Sequence, residues 1–331
     1  MLDFAIQQLM DATTYNAIVN FVWGQRPVPC CPRSPRNMMS RIARASSGRN
    51  LTDERREAVG RIPVGEWVPG SRKVELPESL GFRDGKTSVH TSRTMMLSEL
   101  SLVLEHVAAG AKAEEYMAAI VGDNILGKPT QSTRKRTALR LAELYSLDRT
   151  HAVFRLLRHF WASDASARPL LGFLAAVARD PLLRDTSPFV LAIPIHSDVN
   201  SSQVADHLEE KYPSRFKPST RLSTAQNLAS SWTQAGYLAG KVNKKRSSPV
   251  VTPGAAAFAM ALGYLCGLRG KRLFSSPWAR MLDRSPDRIA ELAADASRHG
   301  WLSCKGVGSV VEIGFPDLLT SREEKASHES H

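Results

Sequence analysis

Three groups of lysines and arginines are the side chains whose types and spacing best suit a chemical task, the binding of phosphate. Guanidinium and ammonium groups form charge-assisted hydrogen bonds with phosphate oxygens. Nearby hydroxyl and amide groups can read base edges in a groove. The candidate nucleic-acid-binding residues are Arg134, Lys135, Arg136, Arg140, Arg215, Lys217, Arg221, Thr224, Asn227, Lys241, Lys244, Lys245 and Arg246.

The first group lies at the start of a predicted helix. Ser132 or Thr133 can cap this helix, and the spacing of Leu141 and Leu144 gives it an inner face. Cations are unfavourable near the positive end of a helix dipole. Their presence is explained if the helix N-terminus and these side chains bind phosphate together. The alternative is a solvated charge run, because lysine and arginine commonly coat exposed helix faces.

The second group leads into another helix, predicted from Ser219 to Ala235. Apolar residues at spacings of three and four give this helix an inner face that includes Leu222 and Trp232. Short donors and acceptors around one arginine then form an outer face suited to a groove, although plain solvent exposure explains the same pattern. The predicted outer face consists of Arg221, Thr224, Asn227 and Ser231.

The third group belongs to a sequence pattern that occurs twice: a helix, a glycine, an aromatic residue, an aliphatic residue and a hairpin. Gly236 and Gly300 can take the left-handed conformation that ends a helix. This order is how a winged helix ends. At the first hairpin tip, the cations can contact phosphate or enter a minor groove, or else form a mobile basic loop. The predicted tip residues are Lys241, Asn243, Lys244, Lys245 and Arg246.

The second copy of the pattern differs in charge. Its helix carries Asp287, Glu291 and Asp295 on the outer face, and acidic side chains repel DNA. Its hairpin is predicted to turn at Gly306–Gly308. We therefore expect this copy to be structural or to bind protein. A basic flank remains a further prediction for this region, made of Lys271, Arg272, Arg280, Arg284 and Arg288.

Composition supports a polyanionic partner. Lysine and arginine total 44 against 32 aspartates and glutamates, which gives a formal net charge of +12 and a pI near 9.8. The excess is concentrated, since residues 201–250 hold eight basic and three acidic side chains. Such a charge favours nucleic acid first and an anionic membrane surface second, while a merely basic protein is the plain alternative.

Motifs for catalysis are weak. Gly122 to Lys128 has the spacing of a phosphate loop, but Pro129 replaces the serine or threonine that would hold Mg²⁺, and no clear strand precedes it. The sequence lacks H-E-x-x-H and G-x-S-x-G, and its histidines have no ligand spacing. We therefore predict a protein that is not an enzyme, with no cofactor, no metal and no small-molecule substrate.

Cysteine usage and apolar runs predict a cytoplasmic protein. The four cysteines form no C-x-x-C pair and no disulfide framework. The N-terminus has no basic region typical of a signal peptide. The apolar run from Gly254 to Leu268 is shorter than the roughly 20 residues that cross a bilayer, so we predict a buried helix and no membrane partner.

The helical spacing elsewhere predicts a mainly α protein, an all-helical domain followed by winged-helix-like modules with short β-hairpins. The helical domain is predicted at residues 87–195. The winged-helix-like region follows at 196–331, with modules at 200–252 and 252–315 and a short polar tail. Residues 1–86 form an N-terminal extension, partly helical and linker-like. This extension can be an interaction arm, a mobile basic tail or translated sequence upstream of the native start.

Two neighbouring motifs carry a family resemblance. Asp123–Lys128 leads into Gln131–Arg136, and this resembles the BrxA family of BREX bacteriophage-defence systems, from about Lys86 to Phe315. The resemblance implies a mostly helical protein with winged-helix-like elements, a partial likeness to the antiterminator NusB, and binding of double-stranded DNA. Other BREX proteins are implied as partners. A NusB-like RNA-binding or assembly factor and a protein–protein adaptor remain alternatives.

Overall fold

Amphipathic helices make up most of the chain in this computed structural model, which describes residues 76–307 and 310–329. The prediction of a mainly α fold is confirmed. All described residues belong to one compact unit that spans residues 61–331. The helix predicted from Leu2 to Val22 and the short one from Thr52 to Ala58 lie outside the described residues.

The first half of the described chain is helical. The buried stripe that includes Val153, Phe160 and Trp161 confirms the inner face expected from sequence. Short 3-10 turns occur at Glu78–Leu80, Val89–Thr91 and Ala165–Ala167. The helices are α1 (Leu97–His106), α2 (Ala113–Val121), α3 (Gln131–Tyr145), α4 (Ala152–Ser163), α5 (Arg168–Arg179), α6 (Pro181–Asp185) and α7 (Ser187–Ala192).

The second half alternates helices with short strands. Asn200 caps the helix that follows the first strand, because its side chain accepts a hydrogen bond from the Gln203 amide at 2.9 Å. A further 3-10 turn lies at Gly270–Leu273. The elements are β1 (Asp198–Val199), α8 (Ser201–Lys211), α9 (Pro218–Gln234), β2 (Leu238–Ala239), β3 (Lys244–Arg246), α10 (Pro253–Leu265), α11 (Pro277–Arg280), α12 (Pro286–Arg298), β4 (Ser303–Val307), β5 (Val310–Gly314) and α13 (Ser321–Glu329).

Two small antiparallel sheets accompany these helices. The first has the order β1-β3-β2, with Asp198 opposite Lys245 and Leu238 opposite Arg246. The second pairs β4 with β5, and Val307 lies opposite Val310. Gly306 and Val307, which were predicted to lie in the turn, therefore belong to β4, because Gly306 is paired with Val311 in the ladder.

Helix α5 lies at the centre of the core and joins both halves of the chain. The Phe173 ring is 4.5 Å from the Trp232 ring of α9 and 5.1 Å from the Tyr237 ring next to β2. Likewise, the Phe160 ring of α4 is 5.9 Å from the Phe258 ring of α10. Residues on both sides of the predicted boundary at 195 thus share one core, and the division into modules stays a prediction.

The packed part of the chain begins before Lys86. Leu80 and Phe82 are buried, and the Phe82 ring is 5.5 Å from the Trp278 ring. The Arg179 guanidinium also donates to the carbonyl of Gly81. Residues 80–82 are therefore part of the core, although they were predicted to belong to the N-terminal extension.

The most apolar run forms α10, which is buried along its whole length from Gly254 to Leu265. This confirms the predicted buried helix. The side chain of Thr252 caps it by accepting a hydrogen bond from the Ala255 amide at 3.1 Å. Within residues 76–307 and 310–329, no helix is both long and apolar enough to cross a bilayer.

Candidate nucleic-acid interface

The start of α3 presents two cations to solvent. Thr130, rather than Ser132 or Thr133, caps the helix by accepting a hydrogen bond from the Thr133 amide at 3.2 Å. Lys135 and Arg136 are exposed, and no carboxylate among the described residues pairs with either of them. Two uncompensated positive charges in the first turns of a helix are a suitable place for phosphate.

The other cations around the start of α3 already have partners within the protein. Arg140 pairs with Glu143 at 2.6 Å, and Lys128 pairs with Glu99 at 3.0 Å. Arg134 is half-buried and its Nε donates to the Lys128 carbonyl at 3.2 Å. Arg136 also donates to the Ser132 hydroxyl at 2.9 Å, but like Lys135 it is exposed and has no carboxylate partner among the described residues. Lys135 and Arg136 are therefore the cations of this helix start that are best placed to meet an anion.

A second basic site lies just before α9. The Arg215 guanidinium is stacked 4.6 Å from the Tyr212 ring centre and 5.0 Å from that of Phe216, and it donates to the carbonyl of Lys86. Lys217 is the N-cap residue of α9 and is exposed. Stacking holds the arginine in place while it stays exposed, so the charge is positioned for an external partner.

The predicted outer face of α9 is wrong. Thr224 and Ser231 are fully buried, and Leu222, expected inside, is 42 % exposed. Both hydroxyls donate to carbonyls one turn earlier, from Thr224 to Thr220 at 2.8 Å and from Ser231 to Asn227 at 3.0 Å. A hydroxyl satisfied in this way can be buried at little cost, so these polar residues belong to the inner face.

The chain segment of residues 88–97, here called the brace, covers this face of α9. Asn227 Nδ2 donates to the His90 carbonyl at 3.0 Å, and the Met95 amide donates to Ser231 Oγ at 2.8 Å. The Leu97 amide donates to Gln234 Oε1 at 3.2 Å. Of the predicted polar face, Arg221 is half-buried and pairs with Glu209. Thr224 and Ser231 are thus buried, whereas Arg221 and Asn227 are half-buried and already bonded within the protein.

The first hairpin also differs from expectation. Lys244–Arg246 form β3, so the tip comprises residues 240–243. Arg246 is 1 % exposed, and it pairs with Asp283 at 2.9 Å and donates to the Val190 carbonyl at 3.1 Å. Arg246 was predicted to lie at the exposed hairpin tip, and this placement is wrong, because the side chain is buried and its charge is paired inside the protein.

The remaining hairpin cations are Lys241, Lys244 and Lys245. Lys241 is exposed at the tip. Lys244, the first residue of β3 after the tip, is half-buried, and its Nζ donates to Thr233 Oγ1 at 3.0 Å, which places this end of the hairpin beside the C-terminal end of α9. Lys245 pairs with Asp198 at 2.9 Å, but both side chains are largely exposed, so water weakens this pair. The positive charges of Lys241 and Lys245 therefore lie at the surface.

A family model named BrxA matches residues 87–263, slightly more than half of the chain. The chain belongs to the BrxA family. This makes it a BREX-associated protein. No curated protein sequence matches it.

The BrxA match contains both exposed basic sites and the first sheet. It begins one residue before the brace and ends inside α10, so the second hairpin lies outside it. The resemblance noted from sequence was expected to reach Phe315, and the match is shorter. Helix α2 precedes Gly122 in the structure. Because a phosphate loop follows a strand, the segment from Gly122 to Lys128 is not a phosphate loop.

A buried network links the brace to both halves of the protein, and sequence analysis missed it. His90 Nδ1 lies 3.1 Å from Asp180 Oδ2, and His90 Nε2 lies 2.9 Å from Ser231 Oγ. The hydroxyl of Ser88 also donates to Asp180 at 2.8 Å. These residues are far apart in sequence and share no motif spacing, so no local signal could have revealed the network.

The network resembles a serine–histidine–aspartate triad in composition, but its position makes it structural. His90, Asp180 and Ser231 are fully buried, so no substrate can reach the hydroxyl. Burial raises the pKa of Asp180, but the charge of His90 and the hydrogen bonds to the carboxylate outweigh it and lower the pKa to about 2. The ionised carboxylate ties the brace to the start of α6.

The second module shows the predicted charges in part. Asp287 and Glu291 are exposed, and Glu291 pairs with Arg288 at 2.5 Å. Lys271, Arg272 and Arg280 are exposed nearby in sequence.

No cluster of metal-ligating side chains occurs in the part of the chain that the structure describes. Burial raises the pKa of the Cys266 thiol to about 12, which keeps it protonated and unreactive.

Proposed function

We propose that this protein binds double-stranded DNA, chiefly through phosphate contacts, as a non-enzymatic cytoplasmic component of a BREX defence system. The observation that carries the proposal is the placement of exposed cations at both ends of α9. Arg215 and Lys217 precede the helix, and the hairpin cations meet its other end at Thr233.

The distance between the two ends suits a duplex. Lys217 and Thr233 are separated by a helix rise of about 24 Å, at roughly 1.5 Å per residue. A B-form major groove is about 12 Å wide. Because the separation is about twice the groove width, both ends of a helix in the groove extend beyond it and can bring their cations to the phosphate backbones on either side. Because Lys and Arg contacts to phosphate carry no sequence information directly, they position the protein on the duplex.

The topology of residues 198–246 supports the same partner. The order is strand, helix, helix and hairpin, and β1 pairs with β3 to complete a three-stranded sheet. In a winged helix, this order makes α9 the recognition helix and the β2–β3 hairpin the wing. We therefore keep the winged-helix interpretation for residues 200–252 as part of the proposal.

Salt titration of duplex binding tests the proposal. We expect the affinity for a 20-base-pair duplex to fall by roughly 10³-fold or more between 50 and 200 mM salt, if about six phosphates are engaged. Fluorescence anisotropy with a labelled duplex measures this directly. Affinity that does not change with salt contradicts phosphate-dominated binding.

The NusB-like alternative has one supporting observation: Lys135 and Arg136 lie on α3, in the helical part rather than at the wing. Competition between unlabelled duplex DNA and unlabelled single-stranded RNA at matched salt separates the two functions. Preference for RNA would favour the alternative, and no binding of either polymer at low salt would favour a protein–protein adaptor.

A further inference from the structure

The solvent-facing side of α9 differs in chemistry from its two ends. From Leu222 to Gln234 the sequence contains no charged side chain. The cations lie before this stretch and in the hairpin after it. Phosphate contacts must therefore come from the ends, and the middle of the helix is left for neutral hydrogen bonding and apolar contact.

Tertiary packing decides which neutral side chains face outward. Because the brace covers Asn227 and Ser231, the exposed central residues are Leu222, Ser223 and Gln226. Ser223 Oγ donates to the Thr220 carbonyl at 2.9 Å, so its hydroxyl proton is already used. The amide of Gln226 makes no hydrogen bond within the described part of the chain. Gln226 is therefore the principal hydrogen-bonding group of this surface.

Leu222, Gln226 and Thr233 lie on one side of the helix. At about 100° per residue they fall within roughly 40° of each other. Thr233 Oγ1 accepts a hydrogen bond from Lys244 Nζ at 3.0 Å, so the hairpin stands at the end of this same stripe. Gln226 lies about 14 Å along the axis from Lys217 and about 11 Å from Thr233, near the midpoint between the two groups of cations.

We propose that Gln226, together with Leu222, reads A·T base pairs in the major groove of duplex DNA. This inference rests on the proposed function and on the entry of α9 into the groove. A glutamine amide pairs in a bidentate way with N6 and N7 of adenine, and an apolar side chain contacts the methyl group of thymine. Residues four apart on a helix lie about 6 Å from each other, which spans neighbouring base pairs.

The proposal predicts a preference that phosphate contacts alone cannot give. The test measures anisotropy of the full-length protein with two 20-base-pair duplexes that differ only in a central block of A·T or G·C pairs. We expect the A·T block to bind about 5- to 100-fold more tightly. Replacing the adenines with 7-deazaadenine, which lacks the N7 acceptor in the major groove, should remove most of this preference.

Two matched variants locate the reading residue. Gln226→Glu should reverse the preference toward the G·C block, because a carboxylate accepts from N4 of cytosine and cannot accept from and donate to adenine. Gln131→Glu places the same charge change on an exposed glutamine of α3 and should weaken both duplexes equally. Leu222→Ala should reduce the A·T preference without reversing it.

The outcomes separate this inference from the proposed function. Equal affinity for both blocks with a steep salt dependence overturns base reading by Gln226 and leaves duplex binding intact. A preference that survives in Gln226→Glu but is lost in Gln131→Glu also overturns it, because the reading helix would then be α3. Binding of neither duplex overturns both the inference and the proposed function.

Discussion

Asn227 Nδ2 donates to the backbone carbonyl of His90 at 3.0 Å. This contact fixes the rotation of α9 about its axis, because it turns one polar side of the helix toward the brace. The two residues are separated by 137 positions in the sequence. The side of α9 that meets solvent is therefore determined by a distant segment and not by the helix itself.

Asn227→Ala should destabilise the protein without weakening DNA binding. The substitution leaves the His90 carbonyl without its donor, and an unsatisfied group of this kind costs about 1–3 kcal/mol. Urea unfolding measures the loss, and anisotropy measures the unchanged duplex affinity. Gln226→Ala is the matched control, since an exposed amide one position earlier should leave the free energy of unfolding within about 0.5 kcal/mol of the parent.

A fall in duplex affinity for Asn227→Ala that matches the fall for Gln226→Ala would contradict this assignment. Such a result would mean that Asn227 faces the DNA, as its sequence position first suggested.

Asp180→Asn should lower stability in a pH-dependent way. The pKa of Asp180 in the folded protein, about 2, is below the ordinary value of about 3.9. The ionised carboxylate therefore stabilises the fold at pH above about 4, and this contribution is lost as the pH falls from about 4 to about 2. We expect roughly 2–3 kcal/mol at pH 7.

The free energies of unfolding of the parent and of Asp180→Asn should thus converge only as the pH approaches about 2. Asp198→Asn serves as the control because Asp198 is largely exposed and its pair with Lys245 is weak. A difference between parent and Asp180→Asn that stays constant from pH 7 to pH 2 would exclude the ionised Asp180–His90 pair as its cause.

The combined variant Lys241→Glu, Lys244→Glu and Lys245→Glu should lose most duplex binding and reduce the salt slope by about three. Substitutions at the exposed Lys241 and Lys245 typically change stability by less than about 0.5 kcal/mol each, and Lys244 is only half-buried, so the fold should remain. A second variant, Arg134→Glu with Lys135→Glu and Arg136→Glu, completes the test. If it alone abolishes binding, the site lies on α3 and the NusB-like alternative is favoured.

Arg246→Met should lower stability and leave duplex binding intact, which is the opposite of the result expected for the three lysine substitutions. Arg246 is buried and paired with Asp283, so its removal leaves a carboxylate and carbonyls without their donor. Breaking a buried pair in this way costs about 3–5 kcal/mol. Thermal unfolding should show a strong loss, whereas the folded fraction should bind the duplex with parental affinity. Parental stability combined with lost binding would restore Arg246 to the DNA-contact surface.

Two truncations should differ sharply. A variant that begins at Lys86 lacks Phe82 and Leu80, which are buried in the core, and losing a buried phenylalanine alone costs about 3–5 kcal/mol. A variant that begins at Leu76 retains both. We expect cooperative unfolding at a higher urea midpoint for the longer variant. Equal midpoints would show that Phe82 contributes little to the core.

The sequence by itself determined the helices whose apolar stripes are unambiguous. The stripe that includes Val153 and Phe160 is buried as predicted, because its aliphatic and aromatic side chains have no alternative to the core. Local backbone chemistry was equally readable. Gly236 and Gly300 both have a positive φ, 89° and 74°, at the ends of helices, where a side chain would be strained.

Only the tertiary structure decided which side of α9 and which cations meet solvent. Thr224 and Ser231 look like surface residues, but their hydroxyls bond to carbonyls of their own helix and can be buried. Arg246 looks like a hairpin cation, but the partner that buries it, Asp283, lies 37 residues further along the chain. The polarity of a side chain indicates how much its burial would cost without a hydrogen-bond or ion-pair partner. Those partners lie on other segments or turns of the chain, so they are present only once the protein has folded.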